Sequence, residues 1–134
     1  MSQENVEIVR AAWNAWTSDG LKGLVEYLTD DFDHRAIEGA LDDRGPMHGK
    51  DAFRAYLQDW LDTFDDVRTE VVDLIDAGDD KVIAVLRLSG RAKLSGVETD
   101  LTYAVVYTIR DGKVARGREY WTKDQALEAA GLLE

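Results

Sequence analysis

A chain of 134 residues, 45% of them apolar, is long enough to bury a core of its own and fits one domain. Its 27 acidic against 16 basic residues give a formal charge of −11 that is spread along the chain, which disfavours nucleic acid and anionic membranes as partners. The absence of cysteine excludes disulfides, thiolate nucleophiles and thiolate metal sites.

The opening Ser2-Gln3-Glu4-Asn5 is polar and unlike a signal peptide, so the expected location is the cytoplasm. Behind Ser2 as an N-cap, Val6, Val9, Trp13 and Trp16 recur at intervals of three and four, which predicts a helix over 3–18 with one buried stripe. Asp19-Gly20 breaks it. Leu21, Leu24, Val25 and Leu28 then predict a second short helix ending at Thr29-Asp30-Asp31, followed by an extended segment from Phe32 to Ile37. Glu38 to Gly49 holds three glycines and the only proline, a composition expected of a mobile loop and a candidate lid. A third helix carries Phe53, Tyr56, Leu57, Trp60, Leu61 and Phe64 on one face.

After Phe64 the apolar period changes from 3.6 to 2, which predicts strands over 67–75, 82–91, 97–109 and 114–121. Gly78-Asp79-Asp80, Ser95-Gly96 and Arg110-Asp111-Gly112 are the turns between them. A last helix opens at Thr122 with Gln125 as a capping box and closes at Gly131. Leu133-Glu134 beyond it reads as a vector-derived tail, leaving 1–132 as a single domain. Helices followed by serial strands give an α+β class: a curved antiparallel sheet wrapped around three N-terminal helices, a cone with an internal pocket and a short C-terminal helix.

This layout resembles the SnoaL-like family of the nuclear transport factor 2-like superfamily. The resemblance is carried by Asp30-Asp31-Phe32-Asp33-His34, His48-Gly49-Lys50-Asp51, Ile109-Arg110-Asp111-Gly112-Lys113-Val114 and Ala126-Leu127-Glu128-Ala129-Ala130-Gly131-Leu132. These are turn and cap signatures, specific for fold and nearly silent about chemistry. Relatives implied by the resemblance include steroid isomerases, polyketide cyclases, dehydratases, epoxide hydrolases and members without known activity. The isomerase pattern would place its general base at Ala36, its tyrosine donor near Ala12 and its carboxylic-acid donor near Val105, so that activity is disfavoured. The limonene epoxide hydrolase pattern finds only Arg68-Thr69-Glu70, on the wrong strand, and is disfavoured too.

Which sheet face looks inward turns on one hairpin. A three-residue Arg110-Asp111-Gly112 loop with a glycine bulge would pair Ile109 with Lys113 and place Tyr103, Val105 and Tyr107 beside Ala115, Gly117, Glu119 and Trp121. A two-residue Asp111-Gly112 turn would instead place Arg116 and Arg118 on that face. Burying two guanidinium groups is the costlier choice, which favours the first. The resemblance agrees, since a cavity tryptophan of the steroid isomerases corresponds to Trp121.

Glu119 is then the candidate general acid or base, because a carboxylic acid desolvated among aromatics is suited to proton transfer near neutral pH. His34 is its expected partner, since counting by two puts Phe32, His34 and Ala36 on one face. Tyr103 and Tyr107 are candidate hydrogen-bond donors to a carbonyl or oxyanion. Trp13, Trp16, Phe32, Tyr56, Trp60, Val105 and Trp121 are the candidate ligand-binding walls, pointing to a cyclic or aromatic apolar molecule. The same aromatics have an ordinary reading as core, Glu119 as a structural acid and His48 as a helix-entry residue. Asp30, Asp31, Asp33 and His34 alternate faces along a strand, so no metal is expected, and no cofactor.

Arg87, Arg91, Arg116 and Arg118 fall on the outer face with Ala104, Val106 and Tyr120, a mixture expected of a homodimer interface. Three readings remain open. They are a cofactor-independent proton-transfer enzyme of cyclase, isomerase, dehydratase or hydrolase type, a noncatalytic small-ligand-binding protein, and an interaction module using its outer sheet face.

Overall fold

The computed structural model describes residues 2–40, 43 and 45–132, so the proposed tail at 133–134 lies outside the described residues. Helix α1 runs from Ser2 to Val25 and is broken at Gly20 (φ 70°, ψ −151°), where the sequence breaks its apolar period. Ser2 is already helical and does not stand before the helix as a cap. The second helical segment is shorter than its apolar spacing implies. Tyr27 N–H closes the turn on Leu24 O, and Leu28 opens strand β1, Leu28–Arg35. Strand β2, Met47–His48, hairpins onto β1, and helix α2 follows over Lys50–Thr63. In the segment between β1 and β2, part of the expected mobile loop and candidate lid, Asp43 accepts from the backbone N–H groups of Gly39 and Gly45 and from Arg35, while residues 41, 42 and 44 lie outside the described residues.

Phe64, expected in the third helix, is instead the first residue of β3, Phe64–Gly78, with its ring stacked on Trp60 at 4.6 Å. Strands β4, Lys81–Ala92, β5, Glu98–Arg110, and β6, Lys113–Tyr120, complete a six-stranded sheet of order β2-β1-β6-β5-β4-β3. The sheet is mixed rather than wholly antiparallel, because β1 joins β6 in parallel. Register shifts in β3 near Asp66, Val72 and Ala77 add the local twist that curls a sheet.

Alternation along each strand sorts the residues into two layers. Val82, Ala84 and Leu86 with Tyr103, Val105 and Tyr107 face α1 and α2, and with Val9, Leu28 and Phe32 they form the main core. The other sheet face holds a second, smaller cluster of Ala77, Ile83 and Ala104 sealed by Ala126 of helix α3, Lys123–Ala129. The capping box is present in modified form: Thr122 Oγ1 accepts from Gln125 N–H, while Gln125 Oε1 accepts from the N–H of Trp121 rather than of Thr122. Gly131, at φ 80°, follows the helix end.

Candidate functional site

The hairpin that decides the inward face solves the problem by a third route. Arg110 pairs with Lys113 across a two-residue turn, and Asp111 (φ 54°) and Gly112 (φ 76°) both take the left-handed conformation such a turn needs. The expected pairing of Ile109 with Lys113 is therefore wrong. One extra residue, Ala115, is inserted farther along β6, between the pairs Ile109–Val114 and Thr108–Arg116. That bulge reverses the alternation, so Gly117 comes opposite Tyr107 and Glu119 opposite Val105. Ala115, expected on the inner face, is the bulged residue, and Val114 takes its place in the core.

His34 and Gly117 are neighbours on the parallel strands β1 and β6, and Gly117 faces Tyr107 on β5. The two rings close over the glycine so tightly that a Cβ there would stand 2.6 Å from His34 Nδ1 and 3.1 Å from Tyr107 Cε1. His34 is thereby clamped, 4% exposed, with its ring 4.6 Å from that of Phe53 and stacked near Phe32. Its Nε2 lies 2.7 Å from Glu119 Oε2, and its Nδ1 is buried without a hydrogen-bond partner. A buried orphan N–H is costlier than a buried orphan lone pair, so the ring proton belongs on Nε2, directed at Glu119 Oε2.

Glu119, with a side chain 14% exposed, stands at the boundary between this clamp and a cavity of about 510 Å³. Trp13 and Trp16 of α1, Tyr56, Leu57 and Trp60 of α2, Phe64 of β3, Tyr103 of β5 and Trp121 make its walls, with Asp59, Thr63 and Thr69 as further polar lining. Trp13 meets Trp16 edge to face, and the stacked Trp60 and Phe64 form one flat side. Trp121 is half exposed, and Gln125 fixes its backbone. Leu57, Phe64, Leu88 and Leu101 are lining residues absent from the sequence-derived ligand-binding set; the helical spacing that already grouped Leu57 and Phe64 with Trp60, and strand alternation for Leu88 and Leu101, were the available signals.

The candidate residues thus divide. Glu119, Tyr103, Trp13, Trp16, Tyr56, Trp60 and Trp121 line the cavity, with His34 behind Glu119. Phe32 and Val105, 0% and 1% exposed, are packed beneath it and do not line it. Tyr107 does not line it either. Its hydroxyl is bonded to Trp13, and burial, with the Glu119 charge second, holds the phenol well above its ordinary range of ionisation. Ala12, Ala36 and Val105, where the isomerase pattern has its donors and base, are buried apolar side chains. Of Arg68-Thr69-Glu70, only Thr69 reaches the cavity.

The run Asp30, Asp31, Asp33 and His34 disperses to Lys50, Arg110, His48 and Glu119 respectively. Among the described residues, no three His, Asp or Glu side chains converge as a ligand set for a metal. On the outer face, Arg87 forms a two-pronged pair with Asp100 and Arg91 pairs with Asp66, while α3 covers Ala104. No helix among the described residues is long and apolar enough to cross a membrane.

The model of the SnoaL-like domain matches residues 9–117. No curated protein matches. Among solved structures, a candidate polyketide cyclase from Xanthomonas campestris is similar at 21% identity, covering 96% of this chain and 98% of its own, with a TM-score of 0.72. TerC, co-crystallised with polyporic acid, is 18% identical over 96% of this chain and 98% of its own, at 0.75. A protein with a ketosteroid isomerase-like fold from Catenulispora acidiphila, in complex with trimethylamine, is 20% identical over 94% and 93%, at 0.71.

Proposed function

The chain belongs to the SnoaL-like domain family, on the fold of the NTF2-like proteins, and from there we propose that it is a small-molecule pocket protein performing cofactor-independent proton transfer. The observation that carries this reading is the Glu119 carboxylate, held through one oxygen by His34 Nε2–H at the wall of an aromatic cavity. A carboxylate so fixed can take a proton from a carbon or hydroxyl of a bound ring system and return it elsewhere on the same molecule. His34 positions Glu119 and touches no substrate itself. Tyr103 is the lining hydroxyl suited to stabilise a developing oxyanion. Tyr107, masked by Trp13, has a structural role.

The volume suits a molecule of two or three fused rings, and the flat indole walls favour one. TerC was crystallised with an acid and the Catenulispora protein with an amine, so the fold accommodates both, and ligand charge has to be read from this chain's own lining. The test is deuterium incorporation from D2O into a panel of cyclic ketones, followed by NMR. Exchange that falls about 100-fold or more in Glu119→Gln supports the reading. Absence of exchange from every ketone that binds the cavity overturns it.

A noncatalytic binder is the second reading, favoured by one observation. The two carboxylate positions of the isomerase pattern are filled by Ala36 and Val105, buried apolar side chains that supply no acid. Saturable binding without turnover is its expected signature.

A further inference from the structure

Strands β1 and β6 run side by side as far as the pair Arg35–Arg118, where β1 ends, while β6 continues to Tyr120 on β5 alone. Their parting leaves a slot of about 600 Å³ between residues 35–38 on one side and 118–121 on the other, with Gln125 and Glu128 of α3 completing its wall. The slot adjoins the aromatic cavity, because Ile37, Glu119 and Trp121 line both. A molecule seated in the cavity therefore reaches the slot by passing Trp121, which is half exposed at the junction.

The two compartments differ in chemistry. The cavity is walled mainly by aromatic and aliphatic side chains, whereas the slot brings together the donors of Arg35, Arg118 and Gln125. Arg35 and Arg118 are lateral partners on parallel strands and so extend to the same side of the sheet. Asp43 fixes Arg35 through Nη2 at 3.1 Å, while Arg35 Nε is buried without a hydrogen-bond partner. Gln125 uses its carbonyl oxygen on the N–H of Trp121, which leaves its amide nitrogen to donate. Each guanidinium carries five N–H donors in a fixed fork that matches the two oxygens of a carboxylate. Glu38 and Glu128 are exposed at the same slot, so recognition there rests on a directed guanidinium contact and not on a general positive field.

We infer that the slot between β1 and β6 is a second binding subsite and that the ligand is bipartite. Its apolar ring system occupies the cavity, and an arm passes Trp121 to end in a carboxylate held by Arg118, with Arg35 and Gln125 as further donors. This rests on the reading of the cavity as a small-molecule pocket and narrows the ligand to a class.

The test compares three probes of one shape, naphthylbutanoate, naphthylbutanamide and naphthylbutylamine, by calorimetry and tryptophan fluorescence at physiological salt. The acid is expected to bind at least about 10-fold more tightly than the amide or the amine, the scale of a charge-assisted two-pronged hydrogen bond. It does so against the net charge of −11, which by itself favours the amine. Arg118→Gln is expected to remove most of that preference while the amide binds as before. Arg118→Lys keeps the charge without the fork, gives an intermediate loss, and serves if the glutamine variant does not fold. Arg116→Gln makes the same change of charge on β6 outside the slot and is expected to leave the preference unchanged. Amide or amine binding as tight as the acid overturns the inference and leaves the pocket reading standing. A loss as large in Arg116→Gln as in Arg118→Gln also overturns it, assigning the preference to overall charge. Failure of all three probes to bind removes the pocket reading and this inference together.

Discussion

Glu119 Oε2 and His34 Nε2 meet at 2.7 Å from positions 85 residues apart, joining the last strand of the sheet to the first. The bond stabilises the fold as well as orienting the acid. His34→Ala removes the donor and a ring packed among Phe32, Phe53 and Tyr56, an expected loss of about 2–4 kcal/mol. Glu119→Gln keeps the shape and an acceptor for Nε2–H, with an expected loss of about 1 kcal/mol. Urea unfolding midpoints check the order; a larger loss in the glutamine variant contradicts the proton placement.

Gly117 is required by close approach. In Gly117→Ala the new methyl would lie 2.6 Å from His34 Nδ1, and the clamped imidazole has nowhere to retreat. The expected cost is about 1–3 kcal/mol, with His34 displaced from Glu119. Unfolding measurements with NMR of the imidazole resonances check both parts.

Tyr107 and Tyr103 lie on one face of β5, separated by Val105, yet should behave oppositely. Tyr107→Phe leaves the Trp13 indole N–H without its acceptor and is expected to cost about 1 kcal/mol while ligand binding in the cavity is unchanged. Tyr103→Phe is expected to change binding or turnover. Because burial holds the Tyr107 phenol above its ordinary range, its ionisation awaits unfolding in alkali. A reversible ultraviolet titration should therefore be identical in Tyr107→Phe and the parent chain.

Asp43 gives the segment after β1 a pH dependence. Backbone N–H groups of Gly39 and Gly45, then Arg35, hold its carboxyl below the ordinary value of 3.8. A depressed folded value means that its contribution is complete above the unfolded value and is lost as pH falls through the folded one. Proteolysis between Glu38 and Pro46 is expected to rise below about pH 4 with an acid-active protease. Asp43→Asn should show raised cleavage already at neutral pH, with a weaker acid dependence.

Local signals made the sheet legible. β-branched runs and turn pairs located four strands within a few residues, and helical spacing located Trp13, Trp16, Tyr56 and Trp60 on inward faces. The second helix was overextended because Leu28 satisfies the apolar spacing of a helix and equally the inward position of a strand. Its backbone is captured by β6, a partner more than eighty residues away that no local pattern reports. The same limit hid the tight packing over Gly117, which arises only when three strands lie side by side. The face of Glu119 was reached through the cost of burying arginine, while the turn that was thought to cause it is different.

The bulge at Ala115 means that β6 carries two complete linings on one ribbon. One presents Gly117 and Glu119 inward; the other, one step out of phase, would present Arg116 and Arg118. The acidity of the cavity thus resides in a spacing as much as in a side chain. Loss or gain of a single codon ahead of Gly117 would exchange an acidic interior for a basic one with every catalytic candidate still present in the gene, a shorter route to a new ligand class than any series of substitutions within the wall.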